Sequence, residues 1–258
     1  MNAIKIVFFD VDGTLVDSAT GRIPEKTFDA LNRLRAKGIL LCVATGRAPV
    51  TLPDFGDFRF DAFCTFNGSL CYTENKILHS NPLSPADVQT VIQNATAIGR
   101  PVSVATRTRL AANGADRDLT DYYHLAGLEL TVADDFEAAC REDVYQMMLG
   151  CRDTDHEALT RGTANVKLVV AWERAADVIP ASSGKETSIA KILAHFGLDN
   201  SEAMAFGDGR NDISMLQTVG TGVAMGNAAP QLKAIADDIC APVSEDGIYH
   251  YCLDHGLI

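Results

Sequence analysis

The sequence predicts an α/β protein built on a parallel sheet and interrupted by an α+β segment. Three observations predict it. Short, almost continuous apolar runs recur at Ile4–Phe9, Ile39–Ala44, Ala203–Phe206 and Gly222–Met225. Such runs are typical of strands buried on both faces, which is the condition of a parallel sheet. Amphipathic helical patterns lie next to them in the chain, as βαβ units require. Finally, each run stops at a polar cluster, so the polar residues gather at the carboxyl ends of the strands.

The first strand is Ile4–Phe9, rich in β-branched and aromatic residues. It runs into Asp10-Val11-Asp12-Gly13-Thr14-Leu15, where Gly13 ends it. Ile23-Pro24-Glu25 opens a helix with Phe28, Leu31 and Leu34 on one face, and Lys37-Gly38 stops it. Ile39–Ala44 is the second strand and ends at Thr45-Gly46-Arg47. Phe63–Phe66 is a third, ending at the turn dipeptide Asn67-Gly68, and 69–78 reads as a hairpin continuation.

The pattern changes between Pro82 and Ser183. A helix is expected from Ser84-Pro85 to Ile98-Gly99, then strands at Val102–Thr106 and Arg109–Asn113. Further strands are expected at Tyr145–Leu149 and Lys167–Trp172, with a helix near 155–161. Clustered strands with few helices read as an α+β unit. Residues 82–183 are therefore expected as a second domain inserted into a discontinuous first domain, 1–81 and 184–258. Hinges are expected near 80–83 and 182–184.

The α/β pattern resumes at Lys185. Ile189, Ile192, Leu193 and Phe196 share one helix face, and Gly197 ends that helix. Ala203–Phe206 leads into Gly207-Asp208-Gly209-Arg210-Asn211-Asp212, and Ile213, Met215 and Leu216 begin another helix. Gly222–Met225 is the last core strand, closed by Gly226-Asn227-Ala228.

Composition narrows the function. The 258 residues carry a formal net charge of −12 with no long basic block, which argues against nucleic acid or an anionic membrane as partner. A phosphate site in such a chain must supply its own local positive charge. The seven cysteines form no CxxC pair and several sit in apolar runs, so they read as buried thiols in a reducing compartment, not as a zinc site. The sequence shows neither a signal peptide after Met1 nor an apolar stretch of the ~18 residues a membrane helix needs. A cytoplasmic protein is expected, a monomer or weak homodimer.

Asp10 and Asp12 are two apart on a strand, so both can face one site. Two close like charges need a cation or a shared proton between them. Three clusters meet at the strand ends: Asp10/Asp12, Thr45-Gly46-Arg47 and Asp208/Asn211/Asp212, with Lys185 close to them in the layout. Ligands bind at that edge of open α/β sheets. Mg²⁺ prefers oxygen ligands and binds one or two carboxylates together with substrate phosphate. Asp10 and Asp208 are the candidate ligands, with a backbone carbonyl near Asp12. Asp10 is the candidate nucleophile and Asp12 the candidate acid and base. Thr45, the Gly46 amide and the Asn211 side chain are neutral phosphate donors, Lys185 a charged one, and Asp212 an outer residue that orients the metal site.

These motifs, in this order, resemble the haloacid-dehalogenase superfamily phosphatases. Ala224-Met225-Gly226-Asn227-Ala228 and Glu245-Asp246-Gly247-Ile248 resemble the Cof-type subgroup. The resemblance spans residues 1–80 and 184–258. It implies a Rossmann-like, doubly wound parallel-sheet core with an inserted α+β cap. Asp12 marks the phosphatase type, since the dehalogenases lack that acid and base. It implies a Mg²⁺-dependent phosphatase of small phosphorylated metabolites, sugar phosphates foremost, working through phospho-Asp10. Asp10, Asp12 and Asp208 would hold the metal. Val11, Thr45, Gly46, Lys185 and Asn211 would bind phosphate, and Asp212 would stand behind the metal site. Asn67 and Arg47 are candidate substrate contacts, although Asn67-Gly68 is first a turn and Arg47 could simply cap a helix. Two rivals fit the same motifs: a phosphomutase using the same intermediate, and a ligand-sensing regulator. The regulator is disfavoured because Asp10 and Asp12 are both present.

Overall fold

The computed structural model describes residues 3–258. Its chain forms two compact units. The first comprises the chain up to Thr45, Phe55–His79 and Gly184–Ile258; the second comprises Gly46–Asp54 and Ser80–Ser183.

The first unit is built on an eight-stranded sheet. From one edge the order is Asp238–Ile239, Thr221–Ala224, Ala203–Gly207, Ile6–Phe9, Leu40–Ala44, Ala62–Thr65, Leu70–Thr73 and Lys76–Ser80. The pairs from Asp238–Ile239 through Ala62–Thr65 are parallel, and Ala62–Thr65 pairs antiparallel with Leu70–Thr73. All four residues of Ile6–Phe9 are fully buried, which is why that strand is apolar throughout. Each such side chain contributes about 1.5–3 kcal/mol when taken out of water. Strand order reverses at Ile6–Phe9, which has a later strand on one side and an earlier one on the other. At such a switch point the strand ends open a crevice. Asp10 lies there: its amide donates to Phe206 O at 3.0 Å, carrying the ladder one residue further.

Helices Glu25–Ala36, Lys185–Phe196, Ile213–Thr218 and Gly247–Asp254 accompany this sheet. Glu25–Ala36 packs on Gly247–Asp254, and Lys185–Phe196 on Ile213–Thr218. Lys185 is the first residue of its helix. Phe66, which the sequence reads as the end of a strand, turns instead with φ 53°, and Asn67 follows with φ 52°.

The second unit is an antiparallel sheet of five strands in the order Leu110–Ala112, Val102–Thr106, Val144–Gly150, Ala175–Pro180, Val166–Trp172. Helix Pro85–Ala97 starts at Ser84, whose hydroxyl accepts from the Asp87 amide at 3.0 Å. Its Val88, Val91 and Ala95 share a core with Val102, Val104, Met147, Leu149 and Val178. Two elements carry no clear sequence signal. Strand Ala175–Pro180 is interior to the sheet yet contains Asp177 and Pro180; buried Asp177 accepts the Tyr122 hydroxyl at 3.0 Å. Helix Arg117–Leu125 is strongly charged because Asp118 is spent on three arginines: Arg100, Arg152 and Arg174 all reach its carboxylate at 2.9–3.2 Å.

The seven cysteines are all buried and free. Among the described residues no helix is long and apolar enough to cross a membrane.

Candidate active site

Lys185 is the hub of the polar cluster in the first unit. Its side chain is 1% exposed, and Nζ lies 2.6 Å from Asp10 Oδ1 and 2.5 Å from Asp212 Oδ1. The helix start brings Lys185 there, the end of the central strand brings Asp10, and the turn after Ala203–Gly207 brings Asp208 and Asp212. Oxygens of Asp10, Asp208 and Asp212 all lie within 4.8 Å of one another. Three carboxylates and one ammonium leave two formal negative charges uncompensated.

The remaining contacts assign each carboxylate a different position. Asp212 Oδ2 accepts from the amides of Asp208 (3.0 Å) and Gly209 (2.9 Å), so Asp212 is engaged on both oxygens and fixes the loop carrying Asp208. Asp208 Oδ1 accepts from Thr14 Oγ1 at 3.1 Å, and Oδ2 from Asn227 Nδ2 at 3.5 Å. Gly13 makes that approach feasible. Its φ is +80°, and a Cβ there would sit 2.2 Å from Asp208 Oδ2. Asp12 is half-buried in the same turn.

Burial dominates the titration of this cluster. It pushes Asp10 well above the usual carboxylate range; Asp212 adds to the rise, and Lys185 opposes it. Burial, then Asp212, pushes Asp208 up to about 7. Lys185 is held in its charged form by Asp10 and Asp212, against the cost of its own burial. Carboxylates this crowded ionise fully only if more positive charge arrives. The donors are all oxygens, which suits a hard divalent cation such as Mg²⁺. Asp10 and Asp208 could hold one: Lys185 occupies one oxygen of Asp10, whereas Asp212 carries Lys185 on one oxygen and two backbone amides on the other.

The other sequence candidates separate into two groups. Thr45 and Asn67 are buried in the first unit, and the Asn67 amide donates to Thr45 O at 3.0 Å. Asn211 is there too, its Nδ2 donating to Asn67 Oδ1 at 3.1 Å. Val11 is fully buried in the Asp10 turn, its carbonyl accepting the Val16 amide at 2.8 Å. Gly46 and Arg47 belong to the second unit. The Arg47 guanidinium donates to Thr51 O at 2.6 Å and to Ala126 O at 2.9 Å.

Sequence reasoning gave no role to Thr14 or Asn227. Asn227 Nδ2 also donates to Gly13 O at 2.8 Å, and its Oδ1 accepts from the Val243 amide at 3.0 Å. It thus ties the Asp10 turn, Asp208 and the loop after Pro242 together. An asparagine beside a glycine signals a turn, and nothing local distinguishes this one.

A profile of the family described as haloacid dehalogenase-like hydrolase matches residues 7–252. The chain belongs to that family. It is 33% identical over 260 residues to the putative phosphatase YkrA of Bacillus subtilis, covering 98% of each. It is 31% identical over 241 residues to the HMP-PP phosphatase of Klebsiella pneumoniae, covering 89% of this chain and 87% of the other. Among solved structures, the HAD subclass IIB sugar phosphatase BT4131 superposes with a TM-score of 0.87 at 30% identity, covering 98% of this chain and 100% of that one. The family, of Cof type, carries the parallel-sheet core and separate antiparallel cap described above, and within it this chain is a phosphoric monoester hydrolase.

Proposed function

We propose that this hydrolase is a Mg²⁺-dependent phosphatase that cleaves phosphate monoesters of small metabolites, sugar phosphates foremost, through an aspartyl-phosphate on Asp10. The observation that carries the reading is the Lys185 ammonium held between Asp10 and Asp212 beside Asp208, at the reversal point of the sheet.

Asp10 and Asp208 would hold the cation, together with the Asp12 backbone carbonyl. When bound, the cation supplies positive charge for the carboxylates and for the phosphoryl oxygens as charge shifts in the transition state. Asp10 attacks phosphorus with one carboxylate oxygen, and the bond from phosphorus to the leaving oxygen breaks. Asp12 gives its proton to that oxygen. Asp12, now a base, takes a proton from water as the water oxygen attacks phosphorus. The bond from phosphorus to Asp10 then breaks, releasing phosphate and restoring both carboxyl groups. Lys185 neutralises phosphoryl charge and keeps Asp10 aimed. The Val11 backbone, Thr45, the Gly46 amide and Asn211 hold the phosphoryl oxygens, and Asp212 keeps the Asp208 loop in place. We assign substrate discrimination to the second unit as the cap, which holds the candidate contact Arg47; Asn67, the other candidate contact, belongs to the first unit. The sugar phosphatase neighbour favours sugar phosphates because its likeness covers both chains almost entirely.

The test is phosphate release from a panel of phosphorylated metabolites, with and without Mg²⁺, by wild type and Asp10→Asn. Magnesium-dependent release that disappears in the variant is expected. An isomeric phosphoester formed without net phosphate release, and only when a bisphosphate activator is present, would replace hydrolysis with mutase chemistry. No release from any member by folded, metal-loaded protein would overturn the reading.

A further inference from the structure

The turn Phe66-Asn67-Gly68 is the most strained stretch of backbone in the first unit. Three successive residues have positive φ: 53°, 52° and 96°. Asparagine tolerates that region and glycine is at home in it, but a bulky residue such as phenylalanine is a true outlier. A buried phenylalanine in that state persists only where its surroundings over-determine it, and such sites cluster where geometry serves function.

The surroundings here are the motifs assigned above to phosphate. The Asn67 amide donates to Thr45 O at 3.0 Å. The Ser188 hydroxyl, one turn along the helix that Lys185 begins, donates to Gly68 O at 3.0 Å. A Cβ at Gly68 would sit 2.0 Å from the carbonyl oxygen of Gly184, so the turn packs directly against the residue before Lys185. The Asn67 side-chain oxygen takes one N–H of Asn211 at 3.1 Å. One strained turn therefore touches Thr45, the start of the Lys185 helix and Asn211.

We infer that Asn67 is a positioning residue for Asn211: it orients the Asn211 amide so that its second N–H, and not its carbonyl oxygen, meets a phosphoryl oxygen. This rests on the reading of Asn211 as a phosphate donor. A side-chain amide has a donor end and an acceptor end of nearly equal size, and rotation by half a turn swaps them. Presented to phosphate, the donor end attracts and the acceptor end repels. With Asn67 Oδ1 facing Asn211 at 3.1 Å, only the donor end of the Asn211 amide can answer it, so this orientation of Asn67 selects the useful one of Asn211. The left-handed turn sets where Oδ1 stands, which gives the strain a purpose.

Three single variants and one double variant test this: Asn67→Gly, Asn67→Ala, Asn211→Ala, and Asn67→Gly with Asn211→Ala. Glycine accepts the positive φ and alanine does not, so the two Asn67 variants remove the same amide with different backbone cost. The readouts are the Kd of inorganic phosphate in excess Mg²⁺, by calorimetry, and the thermal midpoint. A hydrogen bond of ordinary net strength predicts that either Asn67 variant raises the Kd about fivefold. The same rise is expected in both, although Asn67→Ala melts lower. The double variant should bind no worse than Asn211→Ala alone, because the two residues act as one. A Kd that follows the melting temperature would make Asn67 merely structural and overturn the inference. So would multiplied effects in the double variant, which would mean that Asn67 acts independently. Unchanged binding in the Asn67 variants, with weakened binding in Asn211→Ala, overturns the inference and leaves the phosphatase reading standing. Unchanged binding in Asn211→Ala locates the failure in the assignment of Asn211 itself.

Discussion

Replacing Lys185 by Met tests the charge accounting of the site most directly. Met is close to Lys in length, so the substitution removes the ammonium and leaves little cavity. What remains is buried Asp10 and Asp212 beside half-buried Asp208, without the ammonium that bonded Asp10 and Asp212. Removing one partner of a buried pair costs about 3–5 kcal/mol. Here the carboxylates can respond by taking up protons, as the raised Asp10 and Asp208 already show, so the lower end of that range applies. At roughly 2–4 °C per kcal/mol for a unit of this size, the thermal midpoint should fall by about 10 °C. The assay is thermal unfolding in chelator, followed by the same melt in Mg²⁺. Cation binding to the folded state should recover part of the loss by mass action. Phosphate release should fall about 10²–10³-fold, the cost of removing a donor aimed at transition-state charge. A midpoint in chelator within 2 °C of wild type would refute the reasoning, because Lys185 would then not be what holds the carboxylates together.

Two further outcomes are expected. Asn227→Ala should raise the Mg²⁺ concentration for half-maximal phosphate release about 10-fold, since outer-shell partners of a metal ligand are typically worth 10–100-fold; an unchanged Mg²⁺ titration would remove Asn227 from the metal site. In the cap, Asp118 is held below the usual carboxylate range first by Arg152 and then by Arg100. A depressed folded pKa stabilises above the unfolded value of about 4, and that contribution is lost as pH falls through the folded pKa. Asp118→Asn should therefore cost about 1–3 kcal/mol at neutral pH, discounted because Arg152 is 41% exposed, and the gap to wild type in urea unfolding should close as pH falls through the folded pKa of Asp118. A pH-independent gap would mean that packing, not charge, makes Asp118 matter.

Legibility in the sequence followed locality. Asp10 and Asp12 could be read because they follow a strand that is apolar at every buried position, so the polar break is abrupt. The parallel-sheet core announced itself through such runs, and the family profile and structural neighbours agree with it. Lys185 could be placed only by its register at a helix start; its partner Asp10 lies 175 residues away. Strand Ala175–Pro180 stayed hidden because Asp177 and Pro180 break the apolar run, and the hydroxyl that makes a buried Asp177 tolerable comes from Tyr122 on another element. Phe66 extended an apolar run that the chain abandons in favour of a left-handed turn, a choice made by tertiary contacts with Thr45, Gly184 and Ser188. Roles for Asn227 and the pairing of Asn67 with Asn211 had no local signal either: amides near glycines read as turns, whatever else they do.

The same locality explains why the chemistry is easier to read than the substrate. The proposed reaction needs a few carboxylates at the ends of buried strands and a lysine at a helix start, and those positions are fixed by the most strongly patterned part of the chain. Discrimination is assigned to a cap whose charged residues are largely engaged with one another, as the arginines around Asp118 show. A charge tied into such a network cannot be told by its residue type from one that greets a ligand. The active-site cluster differs because its charges do not balance. Two buried carboxylates and a half-buried one around a single lysine are costly in isolation, and desolvation has already pushed Asp208 up to about 7. That imbalance is tolerable in a folded protein if the missing positive charge comes from outside, which is the part the proposed function gives to a divalent cation beside Asp10.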